Sequence, residues 1–340
     1  MTGLLLINLG TPDSPSEGDV RRYLKEFLSD PRVLDGPAWR RKLILHLFIL
    51  PSRPRESAKA YRSIWTPDGS PILVHSRSLL NKVRNRLPEG TPVELGMRYG
   101  SPSIREGIEK LTAAGARRLI LFPMYPQYSE ATTGSCLAEA HRVLESKSLS
   151  VPLAEVPPFY DHPAWLEPLA ALARPLLDSA PSGKVFLSFH GLPERQVRAA
   201  DPGGKTCLVA EDCCDSIRPE NADCYRAQCF ATARELTRIL GLPRERVVTC
   251  FQSRLGRVPW IRPYTDEMLA LHAPGGGDAV VLSPAFVADC LETLEELGIQ
   301  GAESWSDSGG NRLTLAPCVN DDDLWADGVL TLVRETCDWL

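Results

Sequence analysis

Five of the chain's ten cysteines fall between Cys207 and Cys229, in TCLVAEDCCDSIRPENADCYRAQC. The spacing C-x5-CC-x9-C-x4-C suits a metal ion or an iron–sulfur centre, because four sulfurs must converge on one small volume. Redox-active thiols and a disulfide knot are the competing chemistries, and the knot needs an oxidising compartment. The opening MTGLLLINLGTPDS has no basic n-region, no long apolar h-region and no small-residue cleavage site, so the expectation is a reducing compartment.

Two further places carry groups fit for proton or cation chemistry. His190 ends the run VFLSFH and precedes Gly191, which lets the backbone turn and leaves an imidazole able to accept a proton or ligate a divalent metal. A satisfied structural histidine is the alternative reading. Downstream, DCLETLEE opens a helix-like stretch with Asp289, Glu292 and Glu296. Asp289 and Glu292 are spaced as N-cap and N3, so a capping box accounts for them without any function. Glu296 lies four residues beyond Glu292, on the same helix face, giving a row of carboxylates able to pass a cation or protons. Cys290 reads as a small buried hydrophobe. Nucleophile motifs are absent: there is no GxSxG, HExxH or SxxK, and Ser188 stands roughly 7 Å along the strand from His190.

These groups need rigid elements beneath them. Short apolar runs at 4–8, 93–99, 118–123, 153–157, 184–190, 247–252, 279–283 and 313–316 alternate with helix-like stretches at 103–114, 133–146, 163–177, 229–240 and 290–297. Fully apolar strands alternating with helices signify parallel sheets covered on both faces, so the fold class is α/β with two doubly wound domains. In such sheets ligands bind beyond the carboxyl ends of the strands, which puts His190, Asn8, Arg98, Tyr99 and Phe286 at the places to inspect. The proline-rich VPPFYDHPAW at 156–165 marks the junction, giving domains at 1–155 and 156–318, with a thiol-rich insertion at 205–229. The last helix, within 319–340, is expected to fold back on the first domain. No internal repeat has a convincing register.

The 340 residues carry a net charge of −5, with 43% hydrophobic and 24% charged residues, and no basic stripe interleaved with aromatics, which argues against a nucleic-acid binder. No GxGxxG or Walker A loop is present, which disfavours a nucleotide enzyme. No run approaches the ~20 apolar residues of a membrane-spanning helix. The apolar LILHLFIL at 43–50, preceded by Arg40, Arg41 and Lys42, suits either a buried helix end or a lip for an apolar ligand at a membrane surface.

Taken together the strand ends resemble ferrochelatase, which inserts ferrous iron into a porphyrin. The likeness runs over nearly the whole chain: LLLINLGTP at 4–12, DGSPILVHSRSL at 68–79, MRYGSPSI at 97–104, LFPMYPQYSEATTGS at 121–135, FLSFHGLPER at 186–195, FQSRLGRVPWIRPYTDE at 251–267 and PAFVADCLETLEEL at 284–297. It implies two similar Rossmann-like domains with a porphyrin cleft between them. It puts His190 and Glu292 in catalytic, iron-handling positions on facing sides of the macrocycle, with Asp289 and Glu296 in an acidic path. It places Asn8, Leu9, Tyr61, Arg98, Tyr99, Trp260 and Phe286 in the porphyrin pocket. Relatives that use coproporphyrin III commonly carry tyrosine immediately before the first GTP. Leu9 stands there in this chain, so protoporphyrin IX is the expected substrate, with Fe2+ as the metal substrate. Which face the metal enters from stays open. Alternatives on the same scaffold are a coproporphyrin III or cobalt chelatase and a non-catalytic iron–sulfur sensor.

Some relatives hold a [2Fe–2S] cluster through an internal cysteine-rich segment, which implies that four of Cys207, Cys213, Cys214, Cys224 and Cys229 bind one here. Zinc is the alternative occupant. Cys229 is the thiol most easily read as ordinary, since relatives with a short segment also have cysteine there. The resemblance further implies a monomer in the cytoplasm, or peripheral at the inner face of the membrane.

Overall fold

The computed structural model describes residues 1–340 except Pro202, Leu255 and Arg257; the last two fall inside the 251–267 motif. The chain forms two compact units. One comprises Met1–Tyr125, Glu130–Pro157 and Asp321–Leu340, the other Pro126–Ser129 and Pro158–Asn320.

In the first unit the strands are β1 (Thr2–Gly10), β2 (Val93–Tyr99), β3 (Arg118–Pro123) and β4 (Leu153–Glu155). Its helices are α1 (Glu17–Ser29), α2 (Ala38–Ile44), α3 (Arg53–Ile64), α4 (Pro71–Asn85), α5 (Ile104–Ala113) and α6 (Ser135–Ser146). All strand pairs are parallel, in the order β2-β1-β3-β4. Leu4, Leu5, Leu6 and Ile7 of β1 are fully buried, as a central strand covered on both faces requires. Ser103 and Glu106 form a capping box that starts α5, which lays Ile104, Ile108 and Leu111 against Leu5 and Ile7. The turn after β1 depends on Gly10, at φ +113°, where a Cβ would lie 1.7 Å from the Tyr99 carbonyl oxygen.

The second unit repeats the plan. Its strands β5 (Lys184–His190), β6 (Val247–Gln252), β7 (Ala279–Leu282) and β8 (Leu313–Leu315) are parallel in the order β6-β5-β7-β8. Helices α7 (Pro163–Ser179), α8 (Glu194–Ala199), α9 (Tyr225–Leu240), α10 (Thr265–His272) and α11 (Ala302–Asp307) accompany them. The repeat is one of topology, and the two sequences share no register. In both sheets the strand order reverses beside the first strand, at β1/β3 and at β5/β7, and a crevice opens at such a switch point. Pro126–Ser129 joins the second unit because Gln127 donates to Thr232 Oγ1 and the Pro284 carbonyl, both at 2.9 Å, while Tyr128 N donates to Gln228 at 2.6 Å. The final helix, α12 (Asp323–Thr336), packs on α4 in the first unit, where Arg86 bridges Asp323 and Asp327.

Among the described residues three stretches wind more widely than an α-helix. Leu45–Ile49, Glu130–Gly134 and Leu291–Gly301 are π-helical, and the last replaces the α-helix expected from 290 onward. Its N-cap is Cys290 with Thr293, one residue later than the Asp289–Glu292 box that the spacing suggests. From outside the helix, Gln252 Nε2 donates to the Glu292 carbonyl at 2.7 Å, engaging a group that ordinary helical winding would bond internally. Helix α9 likewise starts earlier than the apolar pattern suggests, at Tyr225, directly after Cys224.

A buried ion pair organises the carboxyl end of β2. Asp30, whose side chain is 3% exposed, takes Arg98 Nη2 at 2.5 Å, the Tyr99 hydroxyl at 2.9 Å and Ser135 Oγ at 2.6 Å. Burial raises its pKa, but the bonds from Ser135 and the Arg32 amide and the Arg98 charge outweigh that and leave it below the usual carboxylate range. Removing one partner leaves the other charge buried and unpaired. Asp30→Ala is therefore expected to cost about 3–5 kcal/mol of stability, read as a drop in the denaturation midpoint. A loss under about 1 kcal/mol would show that the pair is dispensable.

Candidate active site and thiol centre

His190 is the last residue of β5, at the switch point of the second unit. Its Nδ1 lies 2.6 Å from the Gly191 carbonyl, and since a carbonyl only accepts, Nδ1 carries the proton and Nε2 keeps the lone pair in the neutral ring. The His190 carbonyl accepts from the Tyr225 hydroxyl at 2.8 Å. Gly191 N donates to the Gln252 carbonyl at 2.8 Å, and a Cβ on Gly191 would come within 2.8 Å of that oxygen and 3.3 Å of the Trp260 ring, so the corner requires glycine. The Trp260 and Phe286 rings stand 6.5 and 6.3 Å from the imidazole, centroid to centroid. Burial lowers the His190 pKa, opposed by the Glu292 charge and the Gly191 carbonyl. The ring is accordingly neutral at neutral pH, with a basic nitrogen to offer.

Glu292 and Glu296 project from the π-helix, both half-buried. Glu296 accepts a short hydrogen bond from Ser253 Oγ and a longer one, at 3.4 Å, from Gln252 Nε2. Burial, reinforced by the Glu292 charge and partly offset by those two bonds, lifts its carboxyl to about 7. Asp289 differs. It is 5% exposed, its Oδ1 accepts from Thr293 Oγ1 at 3.0 Å and the Cys318 amide at 3.4 Å, and its Oδ2 accepts from Asn320 at 2.7 Å. Those bonds tie the start of the π-helix to the segment after β8. Ser188 is equally committed, bonded at 2.8 Å to both Gln252 and Thr265. Trp260 also lines an open cavity of about 410 Å³ whose rim carries Glu194, Arg254 and Arg262.

In the first unit, Asn8 is buried, donating to Ser76 Oγ at 3.1 Å and accepting from the Leu9 amide at 2.8 Å, so its side chain closes the end of β1. Leu9 is partly exposed, and Tyr61 packs edge-on to Tyr23 and Trp65. Arg98 and Tyr99 are engaged by Asp30, and Tyr99 is 1% exposed with its pKa raised by burial. Gln252 and Ser253 stand at a strand end that the sequence marks for inspection, without a role read for them. Asp30, Ser135 and Tyr225 were not singled out, because each acts through a partner many residues away.

The cysteine-rich segment is pinned by two buried polar residues. Asp201 accepts from the amides of Thr206 and Cys207 at 2.7 and 2.9 Å, and Asn221 Nδ2 donates to the carbonyls of Cys213 and Ser216 at 2.8 and 2.9 Å. The sulfurs of Cys213 and Cys214 are 3.6 Å apart, and Cys224 lies near enough to Cys207 and Cys214 to perturb both thiols. Cys229, on α9, is fully buried, and its thiol feels the Tyr225 hydroxyl and Cys214. Burial raises the pKa of Cys207, Cys213 and Cys229, and for Cys214 contact with Cys224 comes first, ahead of burial. Without a cation the four are neutral thiols. Arg226 Nη1 donates to Cys214 Sγ at 3.0 Å. Among the described residues no group of three or more His, Cys, Asp or Glu is arranged to hold a single metal ion.

The raised carboxyl of Glu296 has a checkable sign. The folded chain holds this proton over a range where the unfolded chain, at about 4.3, has lost it, so its contribution to stability is full below that value and disappears as pH rises through 7. Glu296→Gln removes this dependence, so the midpoint difference, variant minus wild type, should grow between pH 5 and pH 8. A constant difference would mean that Glu296 ionises as an ordinary carboxylate.

The ferrochelatase family model matches residues 1–337. The ferrochelatase of Pseudomonas fluorescens (strain Pf0-1) is 49% identical over 331 residues, covering 97% of this chain and 96% of that protein. The ferrochelatase of Azotobacter vinelandii is 48% identical over 333 residues, covering 97% and 98%. Among solved structures, SirB from Bacillus subtilis with Fe3+ aligns with a TM-score of 0.55 at 13% identity over 98% of this chain and 95% of that one, a likeness of fold. The motifs at both sets of strand ends, the paired parallel sheets and the full-length match agree: the chain belongs to the ferrochelatase family, the lyases that insert ferrous iron into a porphyrin.

Proposed function

We propose that this ferrochelatase metallates protoporphyrin IX, with His190 and Glu292 as its catalytic residues. The observation that carries this is the tautomer lock at His190: with Nδ1 held by the Gly191 carbonyl, Nε2 offers its lone pair beside the Trp260 and Phe286 rings. Metallation exchanges two pyrrole N–H protons for Fe2+, so the site needs proton acceptors and a donor set for the incoming ion. Nε2 of His190 is suited to take a pyrrole proton or hand over iron, and Glu292 and Glu296 to do the other task. Asp289, fully hydrogen-bonded, holds the helix start for them. In the first unit Asn8, Leu9, Tyr61, Arg98 and Tyr99 are assigned to porphyrin binding, with Asp30 fixing the last two, and in the second unit Trp260 and Phe286. Leu9, where coproporphyrin users carry tyrosine, favours the more apolar protoporphyrin. In anaerobic mixtures of protein, protoporphyrin IX and Fe2+, the Soret band should shift to that of the metallated product. His190→Ala should slow the shift by about 10²-fold or more. A histidine variant within tenfold of wild type would overturn the assignment.

We also propose that Cys207, Cys213, Cys214 and Cys224 hold a [2Fe–2S] cluster. The thiols fit: all four are buried, the sulfurs of Cys213 and Cys214 are 3.6 Å apart, and Cys224 lies near both Cys207 and Cys214, a four-sulfur set of the kind a two-iron centre takes. Metal binding drives the deprotonation that burial opposes. When bound, the cluster supplies a one-electron couple, and since metallation is redox-neutral its role is structural or sensory. Serine at each of the four should abolish bound iron and sulfide, while Cys229→Ser retains both. A colourless protein with stoichiometric zinc would replace the cluster with a zinc site.

The exposed Trp39, Leu43, Leu47 and Phe48 beside Arg40 and Lys42 support a peripheral membrane contact in a cytoplasmic protein, and no helix among the described residues is long and apolar enough to cross a bilayer. Replacing Leu47 and Phe48 by Ser should weaken association with anionic liposomes and raise the KM for porphyrin. Unchanged values of both would remove the membrane reading.

A further inference from the structure

The thiol centre and the catalytic histidine belong to the same unit, and the first turn of α9 touches both. Cys224, its N-cap, lies near enough to Cys207 and Cys214 to perturb both thiols. The next residue, Tyr225, is buried and donates its hydroxyl to the His190 carbonyl at 2.8 Å. The residue after that, Arg226, reaches two ways: Nη1 donates to Cys214 Sγ at 3.0 Å, while Nε and Nη2 donate to the Arg262 carbonyl at 3.4 and 3.2 Å. Its guanidinium is held over the Phe230 ring at 4.6 Å, one turn along the same helix. Arg262 closes the segment that carries Trp260, and that segment pairs with the chain just after His190 through Ile261 N to the Leu192 carbonyl and Glu194 N to the Pro259 carbonyl, both at 3.0 Å. Three consecutive residues of one helix thus contact the thiols, the backbone of the catalytic histidine and the loop of its aromatic neighbour.

We propose that Tyr225 and Arg226 are positioning residues through which the state of the thiol centre sets the placement of His190 and of the Trp260 loop. The inference rests on the reading that the four thiols hold an iron–sulfur centre. A bound centre would fix Cys224 and Cys214, and because the rest of α9 is anchored by buried Ala227, Cys229, Thr232, Ala233 and Leu236, the constraint would bear on its first turn. Tyr225 then holds the His190 peptide in the orientation in which Nδ1 meets the Gly191 carbonyl. Arg226, with its N–H on a ligating sulfur, carries the same constraint to the Arg262 carbonyl. Loss of the centre would remove that constraint from both contacts together. The coupling is mechanical and needs no electron transfer.

A double-variant cycle tests this. Iron and sulfide are first quantified in the wild type, and their absence would bring down the cluster reading and this inference with it. If they are present, Tyr225→Phe should retain full iron and sulfide with an unchanged visible spectrum while kcat falls about three- to tenfold, as expected for one lost hydrogen bond. Arg226→Gln should shift the charge-transfer bands and reduction potential of the cluster and weaken iron-free porphyrin binding, measured by fluorescence quenching. Cys214→Ser, lacking the centre, should show both deficits, and adding either variant to it should change nothing more. Oxidative bleaching of the wild-type centre followed by gel filtration creates the same state should Cys214→Ser not fold. Effects that multiply independently, or a centre-free protein with wild-type porphyrin affinity and turnover, would overturn the coupling while leaving the cluster reading intact.

Discussion

Gln252 is the residue on which the carboxyl end of the second sheet depends. Its backbone carbonyl accepts from Gly191, its side-chain oxygen from Ser188, and its amide nitrogen reaches the Glu292 carbonyl and the Glu296 carboxylate. One buried amide therefore ties the strand that ends in His190 to the helix that presents the carboxylates. In a low-dielectric interior such a bond is stronger than in water and expensive to leave unmade, so His190 and the two glutamates are held in one geometry. The same contact engages the Glu292 carbonyl from outside, where the helix winds with wider hydrogen-bond spacing than an α-helix.

Asp30 plays the corresponding part in the first unit. Arg98 and Tyr99 sit at the end of β2 where a ligand-facing role is the natural reading, yet both are drawn inward by a carboxylate 68 and 69 residues away. A guanidinium bound to a buried carboxylate is oriented and partly neutralised, which makes the end of β2 rigid. Asp289 follows the same logic. A carboxylate that the family resemblance placed in an acidic path has its oxygens taken by Thr293, Cys318 and Asn320, whereas Glu292 and Glu296 are half-buried on the helix beyond it.

The strands were legible because central parallel strands are buried on both faces and read as unbroken apolar runs: 93–99, 118–123, 184–190 and 247–252 correspond to β2, β3, β5 and β6. His190 was legible because it ends such a run before a glycine. Where α9 begins was not, since Tyr225 and Arg226 earn their place through His190, Cys214 and Arg262 and not through a helical apolar pattern. Two similar parallel-sheet domains were expected and are present, but the strand orders within them were not legible, because strand order is set by packing of apolar faces that many sequences satisfy.

Local pattern and residue chemistry by themselves determined the alternation of strand and helix, the position of the histidine at a strand end, and the density of thiols between Cys207 and Cys229. Those depend on neighbours in the chain, through burial periodicity and side-chain type. Tertiary structure alone decided that the oxygens of Asp289 are taken by Cys318 and Asn320, that Gln252 joins the strand of His190 to the helix of Glu292 and Glu296, that Cys207 lies near Cys224, and that the helix following the thiols reaches the histidine. Each of these rests on a hydrogen bond or sulfur contact between residues whose separation in sequence carries no information about their separation in space.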